Sequence, residues 1–93
     1  MYLLVRSSKF KQDLKRVFKR SATDFEETRK VLHLLKDKGV KGIPKFMKPH
    51  KLKGKYKGDW ECHIKPDLLI IWFQIESPKI IKLTRIGSHS DLF

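Results

Sequence analysis

Residues Trp60 to Ile75 read WECHIKPDLLIIWFQI, and the two halves of this stretch carry different patterns. The second half, Leu68 to Ile75, is apolar at nearly every position and rich in branched and aromatic side chains. It is far shorter than the roughly 20 residues a membrane-spanning helix needs. A strand apolar on both faces belongs at the centre of a sheet. The first half alternates, turning Trp60, Cys62 and Ile64 to one face and Glu61 and His63 to the other. KPD between the halves supplies a turn, so the two strands run antiparallel.

Outward from this hairpin the chain punctuates itself. ESPK makes the next turn, and Ile80 to Ile86 forms another strand. Upstream, VKGIPKFMKPHKLKGKYKG is loop-like and rich in glycine and proline, with a short strand near Leu52 and Ile43, Phe46 and Met47 as anchors. The alternating strand is expected over Tyr56 to Ile64. YLLV, Tyr2 to Val5, reads as a first strand. SSKFKQDLKRVFKR then places Phe10, Leu14, Val17 and Phe18 at helical spacing behind a Ser7 or Ser8 cap. TDFEETRKVLHLLKDKG gives a second helix, with a capping box from Thr23 and Glu26, a buried stripe of Phe25, Val31, Leu32 and Leu35, and a stop at Gly39. The expected fold is α+β. Two N-terminal helices pack on one face of a mostly antiparallel sheet of about four strands, in a single domain spanning residues 1–93.

Ninety-three residues suit one modest core. The net charge of +12, from 22 Lys and Arg against 10 Asp and Glu, calls for a polyanionic partner, either nucleic acid or an acidic protein. The lone cysteine, Cys62, excludes an intrachain disulfide and any multi-cysteine zinc site, and its strand position makes it core rather than nucleophile. No secretory leader is expected from MYLLVRSSKF, so a reducing, cytoplasmic setting without membrane attachment fits. Trp60 and Trp72 read as core, and His33 sits within the second helix as a structural or surface residue.

The remaining histidines lie on loops and strands. His50 follows a proline in the basic loop, His63 is on the alternating strand, and His89 follows RIG near the carboxyl end. Together with Glu61, Asp67 and Arg85 they supply the residue types for RNA cleavage without a metal. One group takes the proton of a 2′-hydroxyl as it attacks the adjacent phosphate, another protonates the departing 5′-oxygen, and a cation stabilises the phosphoryl charge. The irregular histidine spacing contains no compact metal-ligand motif, so neither metal nor cofactor is expected. Lys51, Lys53, Lys55 and Lys57 are candidates to hold the RNA backbone.

HKLKGKYKGDWECHIKPDLLIIWF followed by LTRIGSHSDLF resembles the YafQ-type branch of the RelE/ParE toxin superfamily, over nearly the whole chain. The resemblance implies a RelE-like fold and a bacterial type II toxin that cleaves mRNA, commonly in the ribosomal A site, under the control of a cognate acidic antitoxin. It makes His50, His63 and Asp67 the leading proton-transfer or orienting residues, and it adds His89 and Phe93 as the carboxyl-terminal side of the pocket. Glu61 is a further acid–base candidate and Arg85 the preferred charge stabiliser. Leu68 stands where such toxins often have tryptophan, which weakens any base stacking at that position. Structural roles stay open alongside: Glu61 and Asp67 could pair with lysines, Arg85 could close a carboxylate network, and Phe93 could seal the terminus. Rival functions are a non-catalytic basic module for nucleic acid or acidic protein, and a ParE-like poison of DNA topology.

Overall fold

The computed structural model describes residues 1–93. Strand β1 (Leu3–Arg6) leads into helices α1 (Ser8–Arg20) and α2 (Ala22–Lys38). A stretch of short 3₁₀ turns follows, interrupted by the two-residue strand β2 (His50–Lys51). Strands β3 (Trp60–Lys65), β4 (Leu68–Glu76) and β5 (Lys79–Gly87) come next, and a single helical turn, α3 (His89–Leu92), closes the chain. The sheet has five strands in the order β1-β5-β4-β3-β2. All neighbours are antiparallel except β1 and β5, which run parallel.

The doubly apolar stretch lies where its composition demands, as the central strand β4. Leu68 through Trp72 are all buried. Ile70 and Trp72 face the helices and join Phe10, Val17, Val31, Leu35, Cys62, Ile81, Leu83 and Ile86 in the main core. Leu69 and Ile71 face the other way and pack under Leu92, with Leu52 and Tyr56 alongside. Each aliphatic side chain so buried contributes about 1.5–3 kcal/mol relative to exposure. Burial also fixes Cys62, whose thiol is pushed up to about 12 by desolvation and then by the neighbouring Glu61 charge.

Both strand pairings with β4 carry a bulge. On β5, Leu83 pairs Trp72 while Arg85 pairs Ile71, which leaves Thr84 as an extra residue. The extra residue shifts the alternation, so that Leu83 and Ile86 both reach the helical core. On β3 the shift falls between His63 and Lys65, next to the turn that brings in Asp67.

Some local expectations hold and others change. The α1 cap is Ser7, whose hydroxyl accepts from the Phe10 amide. The α2 cap is Ser21 rather than Thr23: its hydroxyl accepts from the Asp24 amide, and no Thr23–Glu26 capping box forms. Ser21 also ends α1, so one residue turns the chain from the first helix into the second. Gly39 stops α2 at φ +63°, in the left-handed region, packed against Gln74 and Tyr2. Phe18 belongs to no buried stripe; it is 59% exposed and meets Phe25 edge-to-face at 4.9 Å between ring centroids. The strand expected from Tyr56 begins at Trp60, because Gly54–Tyr56 form a 3₁₀ turn.

The cap assignment is measurable. Ser21→Ala should cost about 1 kcal/mol in denaturant unfolding, while Thr23→Ala stays within about 0.5 kcal/mol of wild type. The reverse order would return the cap to Thr23.

Candidate functional site

Adjacent rungs of the sheet lay out the site on the face away from the helices. His50 on β2 pairs with Glu61 on β3, and His63 lies opposite Leu69, which in turn pairs with Gly87 at the end of β5. Gly87 lets the chain fold back at once, because a Cβ there would meet the Asp91 side chain at 2.9 Å. Ser88 and Asp91 then form a reciprocal capping box, and α3 lies down over Leu69 and Ile71 through Leu92. His89 is thereby returned to His63.

Four rings stand in a row. The centroids of His50 and His63 are 6.5 Å apart, those of His63 and His89 6.0 Å, and those of His89 and Phe93 6.3 Å. Asp67, at the β3–β4 turn, accepts hydrogen bonds from the His89 amide at 3.0 Å and from Nδ1 of its ring at 3.1 Å. These two bonds, the amide first, hold the Asp67 carboxyl below its ordinary range. On the other side, Nδ1 of His50 donates to the Lys48 carbonyl at 2.8 Å. Oε1 of Glu61 lies 3.3 Å from Nε2 of His50 and 3.9 Å from Nε2 of His63. Glu61 is buried, and its Oε2 has no hydrogen-bond partner. A buried unpaired carboxylate oxygen is a standing cost, of a kind that concentrates at functional sites.

The sequence candidates divide accordingly. His50, Glu61, His63, Asp67, His89 and Phe93 are brought together. Arg85 takes the alternative place foreseen for it, in a carboxylate network. Its Nε donates to Asp13 at 2.7 Å and its Nη2 at 3.2 Å, which raises its already high pKa. Only Nη1 turns elsewhere, to the Tyr56 hydroxyl at 3.4 Å. Lys53, Lys55 and Lys57 are exposed on the loop before β3. Lys51 points to the opposite face from His50, with Nζ 5.5 Å from the Trp60 ring centroid. There it borders the largest cleft, about 610 Å³, which lies at the far end of the sheet and contains none of the imidazoles.

The supporting residues were not foreseen. Asp13, 1% exposed, also accepts from the Ile86 amide at 3.1 Å and from Arg16 at 3.0 Å. Arg16 reaches Asp91 at 3.3 Å, and Arg20 reaches it at 3.2 Å. Tyr56 donates to the Leu92 carbonyl at 3.3 Å. Two signals pointed here: Asp13 is an acid at the spacing of the buried α1 stripe, and SHSD has the pattern of a capping box. Among metal-ligating side chains, no group of three or more His, Cys, Asp or Glu is arranged to hold an ion. No helix is long and apolar enough to cross a membrane.

The family model described as bacterial toxin of type II toxin–antitoxin system, YafQ, matches residues 2–93. The mRNA interferase toxin YafQ of Escherichia coli K12 is 29% identical over 87 residues, covering 94% of this chain and 90% of that protein. The toxin in the E. coli DinJ–YafQ toxin–antitoxin complex superposes with a TM-score of 0.85 at 27% identity, covering 99% of this chain and 97% of that one. A metal-bound toxin from Helicobacter pylori gives a TM-score of 0.85 at 36% identity, with both chains covered completely.

Two carboxylates fasten α3, and both ionise more readily in the folded protein. Asp67 is lowered chiefly by the His89 amide and Asp91 chiefly by the Ser88 amide, each from an ordinary 3.8. Their stabilisation is complete above the unfolded value and is lost as pH falls through the lower folded values. Followed by NMR, the Ser88 and His89 amides should hold their positions at about pH 5 and move only below about 3.8. Midpoints above that value would contradict the assigned bonds.

Proposed function

The chain belongs to the YafQ family of bacterial type II toxins, and we propose that it is an endoribonuclease that cleaves mRNA in the ribosomal A site without a metal. The observation that carries this reading is the row of three imidazoles, with ring centroids 6.0 and 6.5 Å apart and carboxylates at both ends. In the reaction, the 2′-hydroxyl of one nucleotide attacks its own 3′-phosphate. The O2′–P bond forms, the P–O5′ bond breaks, and the products are a 2′,3′-cyclic phosphate and a 5′-hydroxyl. One imidazole takes the 2′-hydroxyl proton and another supplies a proton to the departing oxygen.

The geometry suggests a part for each residue. His89 donates through Nδ1 to Asp67, which leaves Nε2 for proton transfer and makes Asp67 its orienting partner. His50 is oriented in the same way by the Lys48 carbonyl. Glu61 faces His50 and His63 together and steadies whichever ring becomes an imidazolium. Phe93, exposed at the end of the row, positions the RNA. Lys53, Lys55 and Lys57 hold its backbone, whereas Lys51 lies on the other face. Phosphoryl charge is met by imidazolium and these lysines. Arg85, engaged by Asp13, contributes by fixing Tyr56 and through it the Leu92 carbonyl. The H. pylori relative is metal-bound, whereas no three ligating His, Cys, Asp or Glu side chains of this chain are arranged around one point.

An antitoxin completes the reading, by likeness to the DinJ–YafQ complex. On a toxin of net charge +12, an acidic segment would cover the basic loop from Lys45 to Lys57 and close off the imidazole row.

His63→Ala and His89→Ala should each slow single-turnover cleavage by about 10²–10⁴-fold while changing RNA affinity far less. The upstream fragment should carry a 2′,3′-cyclic phosphate or its opened form, and chelator should leave cleavage of naked RNA intact. Unchanged chemistry in the folded double variant would remove the imidazoles from the mechanism. For the antitoxin, the association rate should fall steeply as salt rises; a salt-independent rate would rule out steering by the basic loop.

A further inference from the structure

The ring row has an exposed aromatic at one end, Phe93, and a second exposed aromatic, Phe46, shares a groove with His63. Phe46 is 78% exposed, the most of any aromatic side chain in the protein, although its place in an apolar IPKFM segment suggested an anchor. It forms one wall of a groove of about 500 Å³ whose remaining lining is Lys48, His63, Ile64, Lys65 and Pro66. The groove is therefore continuous with the imidazole row through His63.

A second observation ties Phe46 to this site. The 3₁₀ turn Lys45–Met47 that presents the ring ends at Lys48, the only residue other than glycine with positive φ, at 55°. A lysine in the left-handed region is strained, and such strain persists where the surroundings enforce it. Here the strained residue offers its carbonyl to Nδ1 of His50. One short turn thus sets the Phe46 ring and a candidate proton-transfer imidazole together. Lys65 is engaged by Asp24, which leaves Lys48 as the cation at the groove whose side chain has no ion-pair partner.

An exposed aromatic face beside an unpaired ammonium and next to a phosphate-processing row fits one ligand class. We infer that the Phe46 groove is a nucleobase subsite: it stacks an RNA base flanking the scissile phosphate, with Lys48 on the adjoining phosphate. This rests on the RNA-cleavage reading above and adds to it the means by which a flanking nucleotide is held. Stacking is tolerant of base identity, because every base has a π face. The subsite therefore gives grip and register more than sequence choice.

Cleavage is measured with parent RNA and with two RNAs bearing an abasic ribose on one or the other side of the scissile bond, both naked and held on ribosomes. Phe46→Ala should lower kcat/KM on the parent by about tenfold, within the range for loss of one base–aromatic stack, and Phe46→Trp should restore it. On one abasic RNA the Phe46→Ala loss should vanish; on the other it should persist. An unchanged kcat/KM, or a loss that persists on both abasic RNAs, overturns the subsite, as does a Phe46→Ala variant that weakens only antitoxin binding. If wild-type protein cuts no RNA, the cleavage reading falls on its own, and the groove is then read by binding. Fluorescence of Phe46→Trp should be quenched by RNA carrying a 2′-deoxyribose at the attacking position, beyond any change in the wild-type signal. Failure to bind RNA, or binding seen by anisotropy without quenching, overturns the subsite independently.

Discussion

A strand that is apolar on both faces must be covered on both, and a chain of 93 residues has little with which to do it. The helices α1 and α2 cover one side of β4. On the other side Leu69 and Ile71 would meet water were it not for Leu92 of the terminal turn, with Leu52 and Tyr56 from the basic loop. The covering segments are the same ones that carry His50, His89 and Phe93. Burying the second face of β4 and assembling the imidazole row are therefore one event, driven by a few apolar contacts. The row lies at the border of that thin cover, where His50, His89 and Phe93 are exposed to solvent and Glu61 is not.

Charge holds this cover in register. The Asp13 carboxylate reaches from α1 to the Arg85 side chain and the Ile86 amide, and Arg16 carries the connection on to Asp91 in α3. Desolvating such groups is costly, and the cost is offset only when each oxygen is satisfied. Asp13 meets that condition with bonds to both oxygens. Tyr56 closes the circuit, accepting from Arg85 and donating to the Leu92 carbonyl. Glu61 is the contrast: equally hidden, yet with one oxygen unpaired. The first carboxylate is arranged for rigidity. The second lies beside two imidazoles with that oxygen unengaged.

The patterns legible in the sequence were those set by local chemistry. Continuous apolarity marked β4 as central, and period-two alternation separated Cys62 from Glu61 and His63. Helical spacing found α1 and α2, though it overreached at Phe18, where a stripe position meets solvent. The α2 cap was ambiguous because Ser21 and Thr23 lie two residues apart, each with an acid three residues on. Elements of two and four residues, β2 and α3, are too short to show any period, and the bulge at Thr84 breaks the alternation that would have oriented Arg85. That His50, His63 and His89 meet could be expected only from resemblance to known toxins. Pairings such as Asp13 with Arg85, 72 positions apart, depend on the finished sheet and have no local signature.

The parallel pairing of β1 with β5 has a temporal side. Leu3 finds its neighbour in Ile80, so the first strand waits for nearly the whole chain before it has a partner. Sheet closure across such a span is entropically late and slow. Gly87, Ser88 and His89 follow β5 directly, so the ring row is among the last parts of the molecule to take shape. Until β5 is in place, His89 and Phe93 have no sheet against which to join His50 and His63. The topology thus sets an interval between the appearance of the first strand and the assembly of the ring row, in which His50 and His63 exist without His89 beside them.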